Sequence, residues 1–275
     1  MEAKTKKAFI EKNVGKDKLI GRPIKLNKQT IQPVDGKDYA EILFFGDLHL
    51  GHPQCQLHKA KEMLDYALEK KMYVMCMGDM IECGLSGSIG DSVYKQKLNP
   101  QEQMEDVIDL LQPLADAGLI IGYVTGNHCV RIMNSTSIDI SKIICRQLGV
   151  PYLGYAGWTV VSLGNLRYSI YTTHGTGGSR FIYTKLAKAI NLGNSIDSDI
   201  FAMGHVHSVA SEVIVRQTYN RTKNCIEEKN QYVCLTGSWM SWSGSYAEAA
   251  GFPPNRIGAP KAKLSTKKKK VHFSF

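Results

Sequence analysis

The chain has 275 residues, of which 43% are hydrophobic and 21% charged, and its formal net charge is +9. This length and apolar content favour one α/β domain with a sizeable core over a disordered or fibrous protein. No apolar stretch approaches the 18 or so residues of a membrane span, and the first residues lack the apolar segment of a signal peptide. We therefore expect no membrane association and a cytoplasmic location.

The positive charge is concentrated at the two ends of the chain. Residues 1–40 carry +5 and residues 261–275 carry +6, whereas residues 41–260 carry −2. We predict a basic N-terminal segment (1–40), a central domain (41–260) and a Lys-rich C-terminal tail (261–275). The run 267–270 of four lysines could follow a polyphosphate backbone, or it could be a solvated tail without a partner.

The seven cysteines include no Cys-x-x-Cys pair. This pattern favours small buried side chains in a reducing compartment over a zinc ribbon. The sequence does not indicate an oligomeric state.

Strand and helix patterns alternate along the chain. Short apolar or alternating runs predict strands at 42–45, 73–77, 119–125, 168–173, 200–203, 211–218 and 231–236. Amphipathic stretches predict helices at 56–71, 100–117, 137–148 and 181–190. The second helix has a capping-box start, with Asn99 as the N-cap, Pro100 at the first helical position and Glu102 at the third.

Five short clusters of acid, amide and histidine residues follow predicted strands. Side chains that leave a sheet at the same edge converge outside the carboxyl ends of its strands, where open α/β folds bind ligands. Seven oxygen and nitrogen donors meeting there imply metal ions. The clusters are Gly46-Asp47-Leu48-His49, Gly78-Asp79, Gly126-Asn127-His128, His174-Gly175 and Gly204-His205-Val206-His207.

This ordered series resembles the pattern of the calcineurin-like metallophosphoesterases, which reads D-x-H, G-D, G-N-H, H and G-H-x-H. The resemblance covers about residues 41–210, and the family's closing strands would continue through Gly237. It implies a β-sandwich flanked by helices, in α-β-β-α layers, with two metal ions in a shared site. By resemblance, the first metal would be held by Asp47, His49 and His207, the second by Asn127, His174 and His205, and Asp79 would bridge them.

These residue types suit phosphate ester hydrolysis. Two cations roughly 3.5–4 Å apart can clamp the attacking and leaving oxygens, and they lower the pKa of bound water so that a bridging hydroxide becomes available as the nucleophile. Mn²⁺ is our first expectation for both ions. Iron, zinc and nickel also suit imidazole, carboxylate and amide ligands.

The resemblance makes His128 the proton donor to the leaving oxygen, with Asp47 as the expected partner that orients its ring. Two positions depart from the family pattern. Glu82 stands where many members have Asp, and Cys129 stands where an acidic residue is common. Because a thiol is a poor acceptor, Cys129 would orient His128 weakly. Both departures argue against the serine/threonine protein phosphatase branch.

Four further residues are candidate substrate contacts. Trp239 and Arg256 belong to the aromatic segment 238–258, which we expect to form a rim whose faces stack on nucleobases, with a satellite hydrophobic core as the alternative. Arg180 follows the glycine-rich stretch 175–179, whose amides could meet an anion at a helix N-terminus or serve backbone geometry alone. His52 could contact a phosphate or cap the following helix.

We therefore expect a metal-dependent phosphoric ester hydrolase with residues 41–260 as its catalytic domain. A phosphodiesterase acting on nucleic acid is the first hypothesis, because Gly-Asp-Leu-His-Leu-Gly resembles the first motif of the superfamily's repair nucleases and the chain ends are basic. The alternative within enzymes is a small-molecule or cyclic-nucleotide phosphodiesterase or phosphatase. The alternative outside enzymes is a non-catalytic scaffold, which the complete set of donors disfavours.

Overall fold

The computed structural model of the chain describes residues 26–85, 88 and 92–275, so residues 1–25 of the predicted basic segment lie outside the described part. The strands of the described residues are β1 (Leu26–Thr30), β2 (Tyr39–Phe45), β3 (Tyr73–Cys76), β4 (Ile120–Val124), β5 (Tyr152–Gly154), β6 (Ala156–Leu163), β7 (Leu166–Thr173), β8 (Ile200–Met203), β9 (Val209–Asn220), β10 (Cys225–Thr236), β11 (Lys261–Ser265) and β12 (Val271–Ser274). The helices are α1 (Leu57–Glu69), α2 (Ser92–Lys95), α3 (Pro100–Asp116), α4 (Asn127–Thr136), α5 (Ile140–Leu148), α6 (Ile182–Gly193) and α7 (Tyr246–Ala249).

The strands form two six-stranded mixed sheets. One sheet has the order β1-β6-β7-β8-β10-β9, and the other has the order β12-β11-β2-β3-β4-β5. Strands β2, β3 and β4 run parallel in one sheet, and β7 and β8 run parallel in the other. Their carboxyl ends are therefore the natural place for converging loops.

Apolar side chains from both sheets pack face to face in the centre of the molecule. Phe44 and Met75 of one sheet share a buried cluster with Ile170, Ile200 and Cys234 of the other. This interior explains why β2, β3 and β8 read as continuous apolar runs, since parallel strands covered on both faces have no solvent side.

Helices cover the outer faces of both sheets. Leu64 of α1, Val107 of α3 and Ile144 of α5 pack in a cluster with the outer face of the β2–β4 sheet. Ala189 of α6 packs on Phe201 of the other sheet. The predicted α/β fold of a β-sandwich in α-β-β-α layers is confirmed.

The N-terminus of α3 has the capping box that the sequence predicts. The Asn99 side chain accepts from the backbone N–H of Gln101 and Glu102, and the Glu102 carboxylate accepts from the Asn99 N–H. The predicted helix 137–148 is α5, which begins three residues later, at Ile140, because α4 ends at Thr136 and Ser137 has a left-handed φ of 61°. Helix α4 escapes sequence prediction since only Cys129 and Ile132 of its residues are buried.

The predicted Lys-rich tail is part of the second sheet, which corrects the domain limit at residue 260. Strand β11 pairs antiparallel with β2 and with β12. Its Ala262 and Leu264 are fully buried, whereas Lys261 and Lys263 point the other way and lie over the rings of Tyr66 and Tyr39. The alternation of lysine with apolar residues is a strand period, in which long lysine stems cover apolar surface.

The predicted start of the central domain, after residue 40, also lies too late in the chain. Strand β1 pairs parallel with β6, and β2 begins at Tyr39. All seven cysteines are free thiols, and five of them are buried, as the absence of a Cys-x-x-Cys pair indicates. Within the described ranges, none of the helices combines the length and the apolar character needed to cross a membrane.

Candidate metal centre

Five loops at the carboxyl ends of the parallel strands bring the seven predicted donors together. Asp47 and His49 follow β2, and Asp79 follows β3. The N-terminal residue of α4, which comes after β4, is Asn127. His174 follows β7, and His205 and His207 follow β8.

The backbone of these loops is locally unusual. Nine described residues other than glycine have positive φ angles, and five of them are predicted donors: Asp47 (48°), His49 (51°), Asp79 (45°), His205 (68°) and His207 (49°). A side chain in the left-handed region is unfavourable, and such conformations concentrate at functional sites. The loops thus hold these side chains in positions that an unconstrained chain would seldom adopt.

The first group of donors consists of Asp47, His49 and His207. The Nε2 atoms of the two histidines are 3.0 Å apart. Asp47 Oδ1 lies 3.3 Å from Nε2 of His207 and 4.0 Å from Nε2 of His49. Asp47 and His49 are buried, and His207 is partly exposed on the cleft side.

The second group consists of Asp79, His174 and His205, with the amide of Asn127 between them. Asn127 Oδ1 lies 3.0 Å from Nε2 of His174 and 2.8 Å from Nδ1 of His205. Asp79 Oδ2 lies 3.0 Å from Nε2 of His174. The two groups are those that the resemblance assigns to the two metals, and Asp79 has the buried position expected of a bridging carboxylate.

Hydrogen bonds at the far side of two rings leave a lone pair facing each group. His49 donates from Nδ1 to the Glu82 carboxylate over 2.9 Å. His174 donates from Nδ1 to the carbonyl oxygen of Met77 over 2.8 Å. With Nδ1 donating, Nε2 of each ring is an acceptor whenever the ring is neutral, as metal-bound histidines require. Several such nitrogen and oxygen atoms within about 3 Å of one another match the donor set of a cation.

The glycines of the motifs allow the loops to approach closely. A Cβ atom on Gly126 would lie 2.0 Å from Oδ1 of Asp79. Gly78 has a φ of 86°, and a Cβ atom there would lie 2.7 Å from Nδ1 of His174. No other residue fits either position without displacing a donor.

Buried charges set the protonation of the metal-free centre. Burial alone would raise the pKa of Asp47 and of Asp79, but the neighbouring histidines outweigh it and hold both pKa values below their ordinary range. Burial opposes a charge on His174, yet the Asp79 carboxylate raises its pKa to about 9. Burial and the nearby His174 lower the pKa of His205 to about 4. A bound cation would therefore meet ionised carboxylates and displace a proton from His174.

The ring of His128 has a different partner from the predicted one. Its Nδ1 lies 2.6 Å from the Glu82 carbonyl oxygen and 3.4 Å from a Glu82 carboxylate oxygen, and its backbone N–H donates to Asp79. Asp47 instead accepts from the backbone N–H of His205. The prediction that Asp47 orients His128 is wrong, because the ring, in the first turn of α4, contacts Glu82 in the loop after β3.

Arg131 is a neighbour of His128 that the sequence analysis did not identify. Its Nη2 lies 3.0 Å from Nε2 of His128, and its Nη1 is buried without a hydrogen-bond partner among the described residues. The spacing of three residues along α4 is the available sequence signal, since side chains three apart lie on the same helix face. His49, Glu82 and His128 also form a group with metal-ligand spacing.

A cleft of about 380 Å³ opens over the two groups of donors. One wall belongs to the predicted rim segment, with the side chains of Met240, Trp242, Tyr246 and Phe252. The lining also includes the glycine-rich stretch at Gly177, Gly178 and Ser179. The volume lies in the range of small-molecule sites.

The four predicted substrate residues lie in different places. Arg256 is exposed and lines the cleft. His52 also lines it, while its Nδ1 accepts from the Gln54 N–H and burial lowers its pKa to about 4. Arg180 lies 5.7 Å from the centre of the Phe252 ring, outside the cleft lining.

Trp239 is a core residue, so the prediction that it contacts the substrate is wrong. It is only 2% exposed and packs on Phe45 with ring centres 5.2 Å apart. Trp239 lies three residues after the end of β10 and belongs to the buried cluster of the helix-covered face, as the hydrophobic-core alternative expects, whereas Trp242 and Phe252 line the cleft.

The chain was compared with known proteins. No protein-family model matches it, and no curated protein matches it in sequence. A predicted phosphoesterase from Streptococcus pneumoniae is similar in structure, with 16% identity, a TM-score of 0.38 and coverage of 86% of this chain and 90% of that chain. The zinc complex of Vps29 from Entamoeba histolytica is similar with 17% identity, a TM-score of 0.35 and coverage of 85% and 97%. At these values the functional argument rests on the site itself.

Proposed function

We propose that the protein is a dinuclear metal-dependent phosphoesterase that hydrolyses phosphodiesters containing a nucleotide. The observation that carries the proposal is that two groups of metal-ligand side chains lie close together where the parallel strands of the two sheets end. The groups are Asp47/His49/His207 and Asp79/His174/His205, and Asn127 contacts the second group. A non-catalytic scaffold would not need seven such donors below an open cleft.

Different residues of the chain would have different roles in the hydrolysis. When bound, two cations supply Lewis acidity and lower the pKa of water. The first group would hold one cation and the second group the other, with the Asp79 carboxylate between them. Glu82 orients His49 through its 2.9 Å contact with Nδ1. His128, at 3.7 Å from Asp79, is the nearest non-ligand histidine that could protonate a leaving oxygen.

Nucleic acid is the first candidate substrate, supported by the first motif and by aromatic and cationic side chains in the cleft. Trp242 and Tyr246 can stack on a base, and Arg131 and Arg256 can meet phosphate oxygens. A strand would have to enter as a single-stranded segment or an end, since the cleft holds about 380 Å³.

A small nucleotide diester is the second candidate, and the position of the lysine run favours it. Lys267 pairs with Asp38 before β2, and Lys269 pairs with Asp199 before β8, each over 2.8 Å. The run therefore lies at the amino ends of these strands, whereas the donors lie at the carboxyl ends. Phosphates bound by these lysines would not reach the cleft directly.

Metal dependence tests the proposal. Chelation should abolish hydrolysis of bis-p-nitrophenyl phosphate, and Mn²⁺ should restore it. Asp79→Ala should remove nearly all activity and lower the metal content, because one carboxylate serves both ions. Asp65→Ala, which removes an exposed carboxylate of α1, is the matched control and should retain full activity. A fully active Asp79→Ala protein would refute the assignment.

A substrate panel with added Mn²⁺ separates the candidates. Single- and double-stranded nucleic acid, cyclic nucleotides, an aryl monoester and an aryl diester should be compared at equal metal loading. Preference for single strands would support the nuclease, and preference for cyclic or other small nucleotides would support the second candidate.

A further inference from the structure

Lys185 is a buried lysine that has no acidic partner in the described part of the chain. It lies in the second turn of α6 and is only 5% exposed. Within the described ranges no carboxylate forms an ion pair with it, and its ammonium donates to Oγ of Ser208 over 2.8 Å. One neutral hydroxyl is a weak compensation for a full charge removed from water.

Such a charge is costly unless something anionic meets it. Lysines are seldom fully buried unless they are paired. Burial lowers the pKa of Lys185, in keeping with a charge that has one neutral hydroxyl as its polar partner among the described residues. The stem packs in the protein, yet an apolar side chain of similar length would fill that space at lower cost.

The surroundings of Lys185 belong to the cleft above the candidate metal centre. Lys185 and Asn255 both line that cleft. Ser208, which accepts from Lys185, directly follows the donor His207 and lies 3.3 Å from Oδ1 of Asn255. With Oδ1 facing Ser208, the amide nitrogen of Asn255 is left as a donor that has no partner in the described part of the chain. A charged and a neutral donor thus lie beside each other, one residue from the candidate centre.

We propose that Lys185 and Asn255 form a subsite for a second phosphate of the substrate, beside the phosphate that is hydrolysed. Lysine binds phosphate as a point charge, and an amide N–H adds direction. The inference rests on the proposed function and narrows its substrate class to nucleotide diesters with a further phosphate on the same nucleoside. That phosphate could come from a nucleic acid chain or from a phosphorylated small nucleotide.

Two aryl diesters isolate the contribution of the second phosphate. They are the p-nitrophenyl ester of thymidine 5′-phosphate and the same ester with an added 3′-phosphate, which share the leaving group. With the Mn²⁺-loaded protein, the 3′-phosphorylated ester should have the higher kcat/KM, by about tenfold or more. In Lys185→Met this ratio should fall toward one.

Lys142→Met is the matched control, because it removes an exposed lysine from α5 and the same net charge. It should leave the ratio and the activity unchanged. Thermal unfolding of Lys185→Met supplies a second readout: the variant should be at least as stable as the wild type, since it loses a desolvated charge. A large loss of stability with an unchanged ratio would identify Lys185 as a structural residue and overturn the proposal.

Direct binding keeps the inference separate from the proposed function. Calorimetry should show thymidine 3′,5′-bisphosphate binding about tenfold or more tightly than thymidine 5′-phosphate, even if neither aryl ester is hydrolysed. If the protein binds the bisphosphate more tightly but hydrolyses neither ester, the result would contradict the proposed phosphodiesterase activity but support the subsite. Equal affinities for the two nucleotides would overturn the subsite whether or not the esters are cleaved. A longer single strand that competes for the same site would identify nucleic acid as the source of the phosphate.

Discussion

His128 and Arg131 form a pair in which each side chain limits the chemistry of the other. Burial opposes a charge on His128, but Asp79 and Glu82 outweigh it and raise its pKa above the ordinary value. A protonated His128 could donate from Nε2, which a general acid requires, yet Arg131 lies 3.0 Å from that atom. A substrate phosphate would give the guanidinium a better partner and free Nε2.

Leaving-group dependence separates the two roles. His128→Ala should slow cleavage of an unactivated nucleoside diester by about 100- to 10,000-fold, while a p-nitrophenyl ester, which needs little protonation, is slowed much less. Arg131→Met should instead raise KM for both esters by similar factors, because binding of a phosphate by the guanidinium does not depend on the leaving group. Steady-state kinetics on both esters measure this difference.

The exposed His58 provides the control for His128. His58→Ala should leave both rates unchanged, and His128→Ala should keep its bound metal. Equal decreases on the two esters in His128→Ala, or loss of metal, would show that His128 has another role.

Among the elements, the lysine-rich hairpin formed by β11, the turn 266–270 and β12 differs most from the separate Lys-rich tail that the sequence predicts. Strand β11 contributes buried Ala262 and Leu264 and pairs with β2, so deletion of 261–275 would remove part of the core. Point substitutions in the turn are therefore the proper test of nucleic-acid binding. Lys268 and Lys270 are the turn lysines without a carboxylate in ion-pair range in the described structure.

If the hairpin binds single strands, the double variant Lys268→Gln/Lys270→Gln should flatten the salt dependence of affinity. The slope should fall by about 0.7 for each phosphate that the variant no longer neutralises, because fewer counterions are released. Fluorescence anisotropy over a salt series measures it, with Lys59→Gln/Lys142→Gln as a control of equal charge. Equal slopes for the wild type and the hairpin variant would show that these lysines do not bind nucleic acid.

The elements that the sequence predicts well are those with one dominant signal. Strand β8 agrees at both ends because its apolar run lies between Asp199 and Gly204, and α3 begins at its capping box. Strand β11 is hidden in the sequence because its high charge masks the alternation of its residues. Helix α4 is hidden because a ten-residue helix with two buried side chains has little periodicity. In both cases the tertiary partner decides the conformation.

At the scale of the molecule, the meeting of the seven donors was predictable because parallel strands end at the same edge. Contacts made by residues outside the five motifs were not predictable. The carbonyl oxygen of Glu82 meets His128 across 46 positions, and Lys185 meets Ser208 across 23. Single residues with no motif around them carry no sequence signal of such contacts. Both contacts can therefore be recognised only in the folded structure.

The same assembly predicts that metal binding stabilises the whole fold. Five donors have left-handed backbone angles, and the two groups exist only when both sheets are formed, so cations should bind the folded chain far more tightly than the unfolded one. At a free Mn²⁺ concentration 100 times the Kd, the free energy of unfolding should rise by about 2.7 kcal/mol for each cation bound. For a domain of this size, Tm should increase by about 5–10 °C.

Calorimetry with Mn²⁺ and with a chelator measures the shift in Tm. Asp65→Ala should retain the shift and Asp79→Ala should lose most of it, whereas equal Tm values for the wild type with and without Mn²⁺ would show that these donors do not form a metal site.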